Sequence, residues 1–418
     1  MSLSNIAKNL KGSEIIKIAG EINELKRKGE QIANLTIGDF DSNIYPIPPE
    51  LKNYIKEAYD ANQTNYPPGD GLLVLRDSIC NFMQEHLGLN LTSNEILVSS
   101  GSRPIIYATY LALVDPGDTV VFPAPSWNNN HYCDIIGAKG IAVPADADNN
   151  FMPTAADLRP HLKGATMLAL CSPLNPTGTM FSQKDLEEIC DLVIEENRTR
   201  PAGSKPLYIL YDQIYAMLTF GGHKHLDPVS LRPELKDYVV YIDGASKCFA
   251  ATGIRVGWGF GPEKIINAMR AIVSHMGAWA PKPEQVAMAK FLQEKSKVDK
   301  FLGNFKARVQ KSLDALYVGF QKLKDEGLKL DAIEPMGAIY LTLKIDYSGK
   351  VAPDGTILKN STDINFYLIK EAKAAFVPFS AFGTGDDINW FRASVGACSL
   401  QDIQEMIPRV GEALRKLK

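Results

Sequence analysis

Several signatures that assign a protein at a glance are missing from this chain. Its 45 basic and 48 acidic residues leave a net charge of −3, so no electrostatic footprint argues for a nucleic acid or an anionic membrane as partner. Cysteine is sparse: Cys80, Cys133, Cys171, Cys190, Cys248 and Cys398 stand far apart, with no C-x-x-C pair to hold zinc or exchange disulfides. They read as reduced, mostly buried thiols. No apolar run approaches a membrane span, and residues 1–12 lack the apolar core of a signal peptide, so a cytoplasmic protein is expected. His223-Lys224-His225 lies in a glycine-flanked loop that reads as solvated, and no nearby carboxylate completes a metal site; no metal is assigned.

What is present is ordinary globular composition, 45% hydrophobic and 22% charged, over 418 residues, which suits two or three domains. Apolar spacing predicts an amphipathic helix over 13–29, opened by Ser13 and closed by Gly29. Short β-prone runs follow at 96–99, 119–122, 167–171, 207–211, 239–242 and 256–260, with helical patterns between several of them, as at 105–114 and 184–196. That alternation predicts an α/β sheet. A long helical region over 283–326 then leads to short strands at 338–344, 376–378 and 391–394, expected to form a smaller α+β domain.

Five polar clusters fall just after predicted strands, and in open α/β sheets ligands bind beyond the carboxyl ends of the strands. Ser100-Gly101-Ser102-Arg103-Pro104 follows the first; with Pro104 as first helical residue, the helix start offers N–H groups to a phosphate. Trp127 can present its indole face to a flat heteroaromatic ring, and Asn175, in Asn175-Pro176-Thr177-Gly178, can aim an amide at a phenolic oxygen. Asp212 ends a strand, where an unpaired carboxylate needs a cation such as a pyridinium nitrogen, and Tyr215 follows three residues on. Lys247 lies among Gly244, Ala245 and Ser246, which leave room for a ring, and Arg255 supplies a fixed positive charge eight residues on. Each cluster alone has a plainer reading: a capped turn, a core tryptophan, a surface lysine. The set in this order reads as a pyridoxal phosphate site.

These residues resemble the class I/II aminotransferases, fold-type I pyridoxal phosphate enzymes, from about residue 35 to near the C-terminus; the most specific parts are Asn175-Pro176-Thr177-Gly178, Asp212 with Tyr215, Ser246-Lys247-x-Phe249 and Gly253-x-Arg255-x-Gly257. The resemblance implies a large domain with a mostly parallel seven-stranded sheet sandwiched by helices, plus a smaller α+β domain. The expected division is 1–50 as an N-terminal segment joining the small domain, 51–300 as the cofactor-binding domain and 301–418 as the small domain. Lys247 would carry the cofactor, pyridoxal 5'-phosphate, and shuttle the proton; Asp212 would pair with its ring nitrogen, Asn175 and Tyr215 would hold its phenolic oxygen, and Trp127 would stack on the ring. Gly101, Ser102, Arg103, Ser246 and Arg255 match the phosphate region, and Tyr66 matches a tyrosine that reaches the partner subunit's phosphate, which implies a homodimer with shared active sites. Arg392, in Phe391-Arg392-Ala393-Ser394, matches the clamp on the substrate α-carboxylate, Gly38 matches the glycine of a mobile segment over the substrate, and Gly337-Ala338-Ile339-Tyr340 matches a small-domain strand.

Three positions depart from that pattern. Gly244 stands where the family often has a serine or threonine, Gln213 where a glutamate is frequent, and Ser172 where an asparagine often precedes the proline. The expected reaction is ping-pong transfer of an amino group between an L-amino acid, aspartate or glutamate favoured, and a 2-oxo acid. Arg103 fits either the distal carboxylate of such a substrate or the phosphate, while Trp279 and Lys282 can equally favour an aromatic or other substrate. A β-eliminating C–S lyase is the alternative enzyme. A non-catalytic sensor is disfavoured, because the first 35 residues leave no room for a helix-turn-helix module.

Overall fold

The computed structural model describes residues 3–9 and 14–418. A helix at Glu14–Arg27 occupies most of the 13–29 pattern, with Ile18 and Ile22 packed against Ile369 and Ala375; Ser13 lies outside the described residues. The chain then forms β1 (Ala33–Asn34), parallel to β11 (Ala374–Ala375), so the N-terminal segment is bonded to the C-terminal part.

Seven strands build the main sheet: β2 (Ile96–Ser100), β3 (Thr119–Ala124), β4 (Lys139–Pro144), β5 (Met167–Cys171), β6 (Tyr208–Asp212), β7 (Val239–Gly244) and β8 (Val256–Phe260), in the order β2-β8-β7-β6-β5-β3-β4. Neighbours pair parallel except around β8, which runs antiparallel to both β2 and β7. Alternate residues enter two cores on opposite faces: Leu97, Met167 and Leu210 on one, Val98, Leu168 and Ile209 on the other. Both faces are therefore covered, by helices including Ser102–Leu113 and Glu263–Met276 on the first and Leu73–Leu87 and Lys282–Leu292 on the second. This is why the central strands read as continuous apolar runs. The exception is β4, which has no counterpart among the runs read from sequence. It is an edge strand with one partner, and only Val143 of its six residues is buried.

The helix read at 105–114 begins earlier, at Ser102, so Pro104 is its third residue rather than its first. Any position in the first turn tolerates proline, because those N–H groups have no partner within the helix. The region read as helical over 283–326 is two helices, Lys282–Leu292 and Lys295–Asp325, broken at Gln293 and Glu294.

A second, antiparallel sheet has the order β12-β13-β10-β9, from β9 (Leu330–Ala332), β10 (Tyr340–Ile345), β12 (Val377–Pro378) and β13 (Trp390–Ser394). Its core joins Leu341, Leu343 and Phe391 to Leu313, Leu316 and Ile403 of the flanking helices, and to Leu35 and Phe40 of the N-terminal segment. Among the described residues no helix is long and apolar enough to cross a membrane.

Candidate active site

A cavity of about 410 Å³ opens at the carboxyl ends of β5 and β6, between the two sheets. That volume falls within the usual range of small-molecule sites. Gly38, Ser102, Arg103, Trp127, Asn175, Asp212, Tyr215, Ser246, Lys247, Arg255 and Arg392 all line it. Gly101 adjoins it below Arg255, and Tyr66 does not reach it: that side chain is 82% exposed, with its ring edge-on to Trp279 at 5.3 Å.

Lys247 lies in the short helix Ala245–Cys248 that follows β7 at once. Its Nζ donates to the Gly38 carbonyl at 2.5 Å and lies 5.9 and 5.8 Å from the ring centres of Phe40 and Tyr215. Burial is the main force on the amine and brings its pKa down to about 8; Arg392, Arg103 and Arg255 push the same way, against Asp39. Asp212 ends β6, and its Oδ1 accepts from the Ile214 N–H at 3.1 Å. No cation pairs with this carboxylate among the described residues, and burial pushes its pKa up to about 6. A carboxylate in that setting is stabilised by a positively charged ligand.

Glycine packing shapes the far end. Gly101 caps the helix Ser102–Leu113 at φ 86°, and a Cβ there would collide with the Arg255 guanidinium, which donates to the carbonyls of Thr252 at 2.7 Å and Ser100 at 2.9 Å. A Cβ at Gly244 would stand 2.8 Å from both Gly257 Cα and Ser102 Oγ, so the Ser102 hydroxyl fills the space a side chain at 244 would need. Ser102 Oγ donates to the Asp243 carbonyl at 2.6 Å. The free N–H groups of the first helical turn, Ser102, Ser246 and Arg255 thus suit an anion.

Arg392, on β13, is only 2% exposed yet meets no carboxylate among the described residues. Its Nη1 donates to Asn175 Oδ1 at 3.0 Å and its Nη2 to the Thr36 carbonyl at 2.6 Å, while Nε has no partner among the described residues. The guanidinium lies over the rings of Tyr340 and Phe382 at 4.7 and 4.8 Å. A buried guanidinium with a spare donor and no counter-ion is built for a carboxylate. Arg103 is exposed at the cavity wall, 6.0 Å from the Trp127 ring, and makes no hydrogen bond or ion pair among the described residues.

Reading from sequence did not place Tyr340, Thr36, Asp39 or Tyr132 in this cavity, although all four line it. Tyr340 was visible only as part of a strand, since its contact with Tyr215 spans 125 residues. Asp39 had a signal, its adjacency to Gly38. The His223-Lys224-His225 reading also needs correction at one residue: His225 is partly buried, within 3.2 Å of Gln213 Oε1, and burial lowers its pKa to about 4. Glycine and lysine neighbours disguise that inward turn.

The donors fit pyridoxal phosphate: a lysine amine held by a carbonyl and no carboxylate, an aspartate without a cation partner among the described residues, an aromatic wall at Trp127, and a glycine-packed anion cup at Ser102 and Arg255. Fold and site together define a fold-type I pyridoxal phosphate enzyme. The aminotransferase class I and II family matches residues 30–410, and this chain belongs to it. It is 31% identical to a bifunctional aspartate aminotransferase and glutamate/aspartate-prephenate aminotransferase of Petunia hybrida, covering 100% of this chain and 84% of that one. The aspartate aminotransferase of Rhizobium meliloti superposes with a TM-score of 0.91 at 28% identity, over 100% of both chains. That of Thermus thermophilus, solved with maleate, gives 0.86 at 25% identity over 99% of this chain and 100% of that one. The chain is therefore a pyridoxal phosphate-dependent aminotransferase.

Proposed function

We propose that this aminotransferase prefers dicarboxylic substrates, aspartate or glutamate with the matching 2-oxo acid. The observation that carries this is a pair of guanidinium groups on one cavity, buried Arg392 with a spare donor and exposed Arg103, neither with a carboxylate partner among the described residues. Two carboxylates would satisfy both. The substrates named for the relatives, and the maleate held by the Thermus thermophilus enzyme, point the same way.

Arg392 and Asn175 anchor the α-carboxylate. Ser102, Ser246, Arg255 and the N–H groups after Gly101 would hold the phosphate of the cofactor, Trp127 would lie against its ring, Asn175 and Tyr215 would bond its phenolic oxygen, and Asp212 would pair with its nitrogen. The cofactor supplies an electron sink for negative charge at the substrate α-carbon. Lys247, once drawn off the Gly38 carbonyl, takes and returns a proton at Nζ; its lowered pKa keeps much of the amine neutral near pH 8. Gly38 and its neighbours close the cavity to water.

Residues 51–300 act as the cofactor-binding unit and residues 1–50 with 301–418 as the smaller one, a division the two main cores follow except where Tyr215, Leu218, Phe220 and Ala250 of the larger unit pack into the core of the smaller. The protein works as a homodimer, in which Tyr66, exposed beside Trp279, reaches the site of a second copy. A reducing, cytoplasmic setting suits the six free cysteines.

The test is the visible absorption of the cofactor-loaded protein with single amino acids added. Aspartate or glutamate should bleach the band, and oxaloacetate or 2-oxoglutarate should restore it. Arg103→Ala should lower kcat/KM for aspartate roughly 10- to 100-fold, the size of one lost charged contact, and leave alanine unchanged. Equal loss for both would reject the dicarboxylate reading, and pyruvate release from cystathionine without an oxo acid would reject transamination as the main reaction.

A further inference from the structure

Tyr340 is a buried polar group that the reaction as described does not use. It is 1% exposed, and its hydroxyl lies 2.5 Å from that of Tyr215, with the two rings edge to face at 5.5 Å. The Arg392 guanidinium covers its ring at 4.7 Å. Gly38 leaves space for its hydroxyl, since a Cβ at 38 would come within 2.8 Å of Tyr340 Oη. Tyr340 thus touches the proposed carboxylate anchor, the proposed phenolic-oxygen ligand and the segment that holds Lys247.

We propose that Tyr340 is a positioning residue whose hydroxyl donates to Tyr215 Oη and so directs the single Tyr215 proton into the cavity, toward the ring oxygen of the cofactor. This rests on the reading of Tyr215 as that oxygen's ligand. Each phenol carries one proton, and the Tyr340 hydroxyl has Tyr215 as its hydrogen-bond partner among the described residues. If Tyr215 donated to Tyr340, it would have nothing left to give a ligand. Arg392 favours the stated direction: its guanidinium lies 4.7 Å from the Tyr340 ring and opposes the rise that burial gives this phenol's pKa, and a hydroxyl beside a cation donates more readily. A chain of two such bonds polarises the outer one.

The experiment is a pH titration of the visible band of the cofactor-loaded protein, for wild type, Tyr340→Phe, Tyr215→Phe and the double variant. Phenylalanine at 340 keeps the ring under Arg392, and a thermal melt verifies folding. Tyr340→Phe should move the midpoint in the same direction as Tyr215→Phe, by about 0.3 to 1 pH unit, as expected when one member of a hydrogen-bond chain is lost. The double variant should match Tyr215→Phe alone. An unchanged midpoint in Tyr340→Phe, or a double variant that sums the two shifts, would overturn the proposal, as would a variant that only melts earlier. Wild type without a cofactor band would defeat the reading of the site itself, a result distinct from any of these.

Discussion

Thr36 and Asn175 meet on one guanidinium: Arg392 donates to the Thr36 carbonyl at 2.6 Å and to Asn175 Oδ1 at 3.0 Å, so the N-terminal segment and the loop after β5 are tied through the proposed substrate anchor. These contacts orient the fork and leave Nε spare. Arg392→Lys keeps the charge and loses the planar fork. It should cost about 2–4 kcal/mol of transition-state binding, or roughly 30- to 1000-fold in kcat/KM, for every amino acid alike. Steady-state kinetics with aspartate and alanine check this; a loss confined to aspartate would place the anchor elsewhere.

Lys247 titrates near 8 in the folded chain against 10.5 ordinarily. Its reactivity toward an amine-directed reagent, in protein stripped of cofactor, should therefore rise with a midpoint near pH 8. Unfolded chains hold the proton up to about 10.5, so between these values the unfolded state binds more protons and stability rises with pH. Lys247→Met should remove that part of the slope, which denaturant titrations at several pH values would show.

Asp212 is raised to about 6, so its acid form accumulates as pH falls through that value. Only the carboxylate can pair with a protonated ring nitrogen. Cofactor affinity should thus be full above pH 7 and decline below 6, and Asp212→Asn should be weak throughout with no such inflection. Equilibrium dialysis across pH 5 to 8 gives the answer.

Gly101→Ala places a Cβ against Arg255 at a backbone φ of 86°. Strain of about 1–3 kcal/mol is the usual cost of such a residue, equivalent to roughly 5- to 150-fold in cofactor affinity if it falls on the anion cup. Inorganic phosphate should compete less well for the variant than for wild type. Unchanged binding of both would show that the cup tolerates the shift.

Much of this was readable in the amino-acid order because the central strands are buried on both faces and therefore apolar throughout. Strand β4 was not, since an exposed edge needs no apolar run. Proline placed the start of helix Ser102–Leu113 only to within a turn, because any of its first positions accepts that residue. Lys247 and Asn175 announce themselves by following strands and Asp212 by ending one. Tyr340 follows none, and its contact with Tyr215 exists only once the two sheets meet. Composition likewise concealed the inward turn of His225 toward Gln213.

The reversed strand β8 has a consequence for evolution and engineering. Because Ser100 faces Val256 in an antiparallel register, the residue before β8 meets the residue after β2 at one edge of the sheet. Were β8 inserted in the other direction, its five residues would carry Arg255 roughly 17 Å away, at about 3.3 Å per residue. A strand graft that preserves every side chain yet flips this one polarity would dismantle the anion cup without touching its sequence.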